Sequence, residues 1–516
     1  MIIASPLQSS SVPVGDIPSF IFSVAEQYKD EVILVDAATQ KRFTISDILT
    51  TSTKLAAGLA RNGYGGKVIS VFDNTDVRCV IVYYAALMTG GTYQSLCTEM
   101  GSENLRDCID HSGTPIIFTT KAYISQLQTA IEKMNVKVFV FDSVPQNGTF
   151  QNEAGFSQLL IDDPSFSPVR ITSVDDAMAK PAYLAYASGM QQTLRPLMLS
   201  HFGLLSSYAI GCATAGSLSK TAVSAVPFAN SHGIGNIAHL PLLSGSCVVQ
   251  ASNYNGVSCL ELLEEWQAEI FLATYSVLAE ILSEAKRSSD GMIVVGTRQF
   301  DVSKLQVIFM HELRRGAYAF KEKVAALFDV RIVELYGYME TGLIAGIITE
   351  HPRIDGSVGL LCPNVRARIV LDGNELEDGQ YGEILVSTPR ITAADKKTPP
   401  YFHTGDFGTV TRDGVVIIKS RMSELLRLQN GTIASPTDIE EQLLHSAWVE
   451  DCAVVSSHNA NSHDVPFAYM VLADNAPNVD TILKPFEEQF PGISGQSIEH
   501  IPRSPKGDPV IPCCLR

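Results

Sequence analysis

The stretch "YLAYASGMQQTLRPLMLSH", residues 183–201, sets Ser188 and Gly189 behind an apolar, strand-like run. Small residues there let backbone N–H groups turn toward a phosphate. The segment 197–210, "LMLSHFGLLSSYAI", is predicted as a helix leading out. This is the outline of a phosphate-gripping loop, yet Met190, Gln191 and Gln192 stand where glycine and hydroxyl residues would serve that chemistry. Further on, "HTGDF" places Asp406 behind a glycine, which by itself reads as a turn. "NSHGIG", from Asn230, brings His232 and Gly233 into a glycine-rich turn suited to a pocket wall. Nothing matches a dinucleotide fingerprint, a Ser–His–Asp hydrolase elbow or a zinc-protease helix. Ten cysteines are scattered without metal-ligand spacing and are read as reduced thiols.

The elements that must position these residues follow from the pattern of the chain. At 516 residues it is too long for one core, so two or more domains are expected. A net charge of −17 with no basic run excludes a nucleic-acid surface, which needs clustered Lys and Arg. No apolar run reaches the length that spans a bilayer, and the first residues lack the features of a signal peptide. "CCLR" has no polybasic segment before it and an atypical last residue for prenylation. The expectation is a cytoplasmic protein without a membrane span, binding small molecules or proteins. Residues 20–345 alternate strand and helix patterns, which implies parallel sheets covered on both faces. "TISDILTTSTKLAAGLARNGY" reads as a helix capped by Thr44 or Ser46 and stopped at Gly63. From about 355, "RARIVLDGNELEDGQYGEILVS" and "GTVTRDGVVIIKS" are short strands with "DG" turns, the signal of antiparallel hairpins. "ASPTDIEEQLLHS" then opens a capped helix in a small mixed tail, with the boundary near Ser420. The fold class is α/β, with a large N-terminal domain (1–419) of α/β sheets and a β-rich segment, then a small α+β C-terminal domain (420–516).

The string "YFHTGDFGTVTRDGVVIIKSRMSELL", followed by "ASPTDIEEQLL", resembles the adenylate-forming superfamily of acyl-CoA synthetases, adenylation domains and luciferases. "LYGYMETG" resembles that family's Y-G-x-T-E-x-G segment, the opening stretch its S-G-T-T-G-x-P-K-G loop, and "IPRSPKGDPVIPCCLR" its P-K-x-x-G-K ending. The likeness spans nearly the whole chain in the same order, with "GSVG" at Gly356 and "YGEILV" at Tyr381 between. It implies a mobile C-terminal domain and a two-step reaction. A carboxylate attacks the α-phosphorus of ATP to give an acyl-adenylate and pyrophosphate, and a thiol, usually of CoA, then displaces AMP. Such chemistry rests on positioning and charge neutralisation. By resemblance, Ser188, Gly189 and Arg195 belong to the phosphate loop, Tyr336 lies beside adenine and the acyl group, and Asp406 receives the ribose hydroxyls. Glu340 holds Mg²⁺, and Arg421 is the arginine after the hinge. The acyl pocket is expected along 230–235, 310–313 and 336–341, with Asn230, His232, Gly233 and Gly337 against a hydrophobic or aromatic acid or its CoA ester.

The departures gather where the chemistry is. Gln192 replaces a loop glycine, Leu194 the proline, Arg195 the lysine and Pro196 the next glycine. A side chain at 192 restricts the backbone where a phosphate must approach, and proline has no N–H to offer. Met339 replaces the metal-site threonine, "MHELRRG" from Met310 the small adenine-binding turn, and Asn230 the pocket histidine. Ser420 replaces the hinge aspartate, and Asp508 stands in the place of the catalytic lysine. Lys506, two residues earlier, is then the catalytic cation available. Three readings follow. The first is an active acid–CoA ligase using ATP, Mg²⁺ and CoA, with Arg195 and Lys506 supplying positive charge. The second is an inactive homologue that binds or regulates, paired with an active ligase or another pathway protein. The third is an ATP-independent acyl-transfer enzyme. The loop substitutions and Asp508 point to impaired adenylation.

Overall fold

Thr44 caps the first long helix. Its hydroxyl accepts from the Asp47 amide at 3.1 Å and the Asp47 carboxylate accepts from the Thr44 amide at 2.9 Å, a reciprocal box that starts the helix Ile45–Arg61. Ser46, the other candidate cap, lies inside the helix. Gly63, at φ +77°, turns the chain away just beyond it. The computed structural model describes residues 2–516 apart from 142–152, 189–193, 216–220, 229–234, 253, 312–317, 347–355, 392–400, 459–463, 500 and 502–516.

Two mostly parallel sheets form the body. In one, the strands run in the order Leu194–Ser200, Pro181–Ser188, Thr92–Leu96, Val68–Phe72, Ile116–Thr119, Lys137–Val140 and Glu153–Gly155. In the other the order is Arg331–Glu334, Val307–His311, Ile270–Thr274, Thr221–Ala225, Cys247–Gln250, Val32–Asp36 and Lys41–Thr44. Only the pair at one edge of each is antiparallel. The helix Cys79–Met88 is buried along its whole length, which is why it shows no polar face in the sequence. One expectation is corrected here. Residues 197–200 are not helical. They end the strand Leu194–Ser200, which folds back antiparallel on Pro181–Ser188, and the helix begins only at His201. Pro196 explains the difference, since it has no N–H for a helix and is tolerated on the outermost strand of a sheet.

The β-rich segment forms a third, antiparallel sheet in the order Ile3–Ala4, Arg366–Leu371, Gly382–Ser387, Phe402–Val410, Val415–Arg421 and Ser357–Leu360. Asp372 and Gly373, at φ +49° and +79°, make the tight turn that joins Arg366–Leu371 to the short strand Asn374–Glu375. Beyond it, Ser435 caps the helix Pro436–Leu444, which packs on the strand Val449–His458, itself paired with Asp464–Leu472 and through it with Ser494–Ser497. Leu426, Ile439, Leu443, Val454 and Met470 form a core of their own there, separate from the third sheet's core of Ile384, Val416 and Ile418. Among the described residues the cysteines are free, and no helix is long and apolar enough to cross a membrane.

His201 ties the start of the chain to this body. Its Nδ1 accepts from the Ile17 amide at 3.2 Å, satisfying an N–H at the start of the helix Ile17–Ala25. Burial depresses the imidazole to about 4 from its ordinary 6.5, against a smaller upward pull from Asp16. The unfolded chain therefore takes up this proton near pH 6.5 and the folded chain only near pH 4. The stabilisation is complete above pH 6.5 and is lost as pH falls toward 4, a loss of roughly 3 kcal/mol. Melting curves between pH 7 and pH 4 are expected to show this slope, and His201→Gln to lose that part of it. An unchanged slope in the variant would place the titration elsewhere.

Candidate active site

Asp406 lies inside the strand Phe402–Val410, not in a turn, with no exposed surface. Gly405 precedes it at φ +68°, a left-handed residue at an irregularity of the ladder that re-aims the strand. Register places Asp406 directly opposite Arg421 on Val415–Arg421. Cross-strand neighbours of opposite charge attract, and Arg421 Nη1 stands 3.2 Å from Asp406 Oδ1. The same nitrogen donates to the Thr404 carbonyl at 2.8 Å and to Tyr338 Oη at 3.0 Å. The guanidinium carbon lies 5.6 Å from the centre of the Tyr338 ring.

Tyr336 and Tyr338 arrive from the short strand Tyr336–Tyr338, paired antiparallel with Gly342–Ala345. Residues two apart on a strand share a face, so both hydroxyls reach the same carboxylate. Tyr336 donates to Asp406 Oδ2 at 2.7 Å, and Tyr338 donates to the same oxygen. Tyr338 is the member of this cluster that sequence reasoning did not single out, and its spacing from Tyr336 was the available signal. Gly337 is required by the hairpin itself, because a Cβ there would meet the Gly342 carbonyl oxygen at 2.2 Å. Glu340 lies in the turn of the hairpin, half-buried. Across from it is Arg390, after the strand Gly382–Ser387, whose Nη1 donates to Ser207 Oγ at 3.1 Å and whose Nη2 stands 4.0 Å from Met339 Sδ. Arg390 was also missed, since "STPRIT" carries no local signal.

The two walls of this site are the third sheet and the hairpin 336–345, and they join two of the segments that the sequence singled out as chemical, "HTGDF" and "LYGYMETG". The chain matches the AMP-binding enzyme family over residues 21–394, well over half its length. This protein is a member of the AMP-binding enzyme family. Among curated relatives it is 24% identical over 481 residues to a 4-coumarate–CoA ligase of Pinus taeda, covering 88% of this chain and 85% of the relative. Its fold matches the ATP-bound MatB of Rhodopseudomonas palustris with a TM-score of 0.77 at 18% identity, over 95% of this chain and 97% of that one. It matches the amide bond synthetase McbA of Marinactinospora thermotolerans equally well, with a TM-score of 0.77 at 19% identity over 95% and 97%.

Within this family member, the structure brings Tyr336, Asp406 and the partly exposed Arg421 into one cluster and sets Glu340 at the end of the adjoining hairpin. Ser188 ends its strand opposite Leu194, and Arg195 is exposed on the returning strand, opposite Ala187. Gly189, Asn230, His232, Gly233 and Lys506 lie outside the described residues, as do Gln192, Glu312 and Asp508. A ribose would need an accessible carboxylate acceptor. Asp406 instead has one oxygen filled by two tyrosine hydroxyls and the other facing a guanidinium. No cluster of three metal-type side chains occurs among the described residues; by the family resemblance, Glu340 is the carboxylate that would hold Mg²⁺ beside a nucleotide's own oxygens.

Proposed function

We propose that this protein binds a hydrophobic carboxylic acid or its CoA ester on an acid–CoA ligase scaffold, and that ordinary adenylation is impaired. The observation that carries this reading is the enclosure of Asp406. A carboxylate whose Oδ2 takes the Tyr336 and Tyr338 hydroxyls and whose Oδ1 faces Arg421, without exposed surface, is poorly open to a ribose. The substitutions at Gln192, Pro196, Met339 and Asp508 support it, because each removes a group that positions or neutralises phosphate. The sequence likeness to a 4-coumarate–CoA ligase supports an aromatic or otherwise hydrophobic acid. In this reading ATP and Mg²⁺ bind weakly, CoA or its thioester remains a ligand, and residues 1–419 and 420–516 act as a large and a small domain. The roles of Ser188, Gly189, Arg195, Tyr336, Glu340, Arg421 and Lys506 remain those that the family resemblance implies.

Calorimetric titration of ATP with Mg²⁺, followed by pyrophosphate release over a panel of carboxylic acids, tests it. The expected result is binding of an acid or acyl-CoA, with ATP binding no tighter than millimolar and pyrophosphate at background. Tight ATP binding with acid-dependent pyrophosphate release would replace this reading by that of an active ligase using Lys506 or Arg195. Absence of binding to any acid or thioester of the panel would reject it altogether.

A further inference from the structure

Among the described residues Arg390 forms no ion pair, though the Glu340 carboxylate acts on it from a distance. Its side chain runs over Gly203 of the helix His201–Ala215 and against Gly342 of the hairpin, where a Cβ would lie 3.4 Å from its Cγ and 3.3 Å from its Cδ respectively. Its partners are the neutral Ser207 hydroxyl and the Met339 sulfur. Among the described residues no carboxylate lies within ion-pairing distance, and the buried Nε has no hydrogen-bond partner. Burial lowers the guanidinium only to about 10, with Tyr208, Glu340, Tyr183 and Tyr83 pulling it up, so it is charged at neutral pH. The buried Tyr83 hydroxyl lies against that of Tyr208, which leaves the Tyr208 proton to be offered beside the cation. A half-buried cation with an unfilled N–H is costly unless an anion completes the set.

We propose that Arg390 is the carboxylate anchor of this protein, receiving the carboxylate of the bound acid between the His201–Ala215 helix and the hairpin 336–345, with Tyr208 donating to it. The chemistry is that of a guanidinium, which presents several N–H groups in one plane and pairs best with a planar, two-oxygen anion. The inference rests on the acid-binding reading above and adds the residue that recognises the charge. It also accounts for Met339. A soft, flexible side chain there packs beside the guanidinium without offering it a competing acceptor as strong as the threonine hydroxyl of the family pattern.

The test compares acids with their uncharged amides on the full chain: 4-coumarate against 4-coumaramide, benzoate against benzamide and hexanoate against hexanamide, by calorimetry. Wild type is expected to prefer the best acid over its amide by about tenfold or more. Arg390→Gln is expected to lose that preference while holding the amide as before, and Arg390→Lys to keep part of it. Thermal melts show whether the variants are folded, and if Arg390→Gln is not, the Lys variant together with Tyr208→Phe, which removes one donor, carries the comparison. If wild type binds acid and amide equally, or a folded Arg390→Gln keeps the preference, the anchor is wrong while acid binding stands. If wild type binds none of the six compounds, the acid-binding reading fails and the anchor with it.

Discussion

Asp406→Ala is expected to lower the melting temperature of the protein by several degrees. Removal of this carboxylate leaves Arg421 as a partly buried cation and strips the Tyr336 and Tyr338 hydroxyls of their shared acceptor. Breaking a buried pair by deleting one partner costs about 3–5 kcal/mol, because the survivor keeps its desolvation penalty. Arg421 is 27% exposed, so water recovers part of that loss and the lower end of the range applies. Asp406→Asn keeps one acceptor oxygen for the tyrosines and should be milder. Thermal melts followed by near-ultraviolet circular dichroism would measure both. The alternative is equally concrete. If Asp406→Ala melts like wild type yet abolishes nucleotide binding, the carboxylate serves a ribose rather than the strand ladder, and the proposal of impaired adenylation loses its main support.

Asp508→Lys is expected to raise acid-dependent pyrophosphate release above the wild-type background by about tenfold. A well-placed cationic or donor group on a transferring phosphoryl or acyl oxygen is worth roughly 10²–10³ in rate. On the reading proposed above the full factor should not return, because Gln192 and Pro196 stand where the family resemblance implies glycines. Reverting those two as well should recover more than the sum of the separate effects, since residues acting as one unit are not additive. The decisive measurement is a coupled pyrophosphate assay on wild type, Asp508→Lys and the triple variant. Equal, substantial rates in wild type and Asp508→Lys would mean that a cation already occupies the site, and Lys506→Ala would then be expected to abolish turnover.

Much of the molecule was legible before its coordinates. Alternation of helix and strand patterns announced a large α/β body with parallel pairing, though not its division into two sheets, because a strand buried on both faces and a helix buried on one leave different apolar periods. The Thr44 cap, the Asp372–Gly373 turn and the capped helix after Ser435 were readable for the same reason: each is decided by residues within four positions of one another. The order of the motifs was enough to announce the family. Local reasoning failed at 197–200, where apolar content suggested helix but Pro196 and an open sheet edge made strand the better partner.

The site divides along the same line. Residue identities belong to the sequence: only there does the family resemblance set Asp508 against a lysine and Gln192 and Met339 against a glycine and a threonine. Contacts between residues far apart in the chain belong to the tertiary structure. Asp406 meets Arg421 because one ladder register sets them opposite, and it meets Tyr336 and Tyr338 because a hairpin some 70 positions earlier packs against that ladder. Arg390 looks like any turn residue until the helix His201–Ala215 and the hairpin enclose it. A charge is ordinary in water and consequential only once burial removes the water, and burial is a property of the fold as a whole.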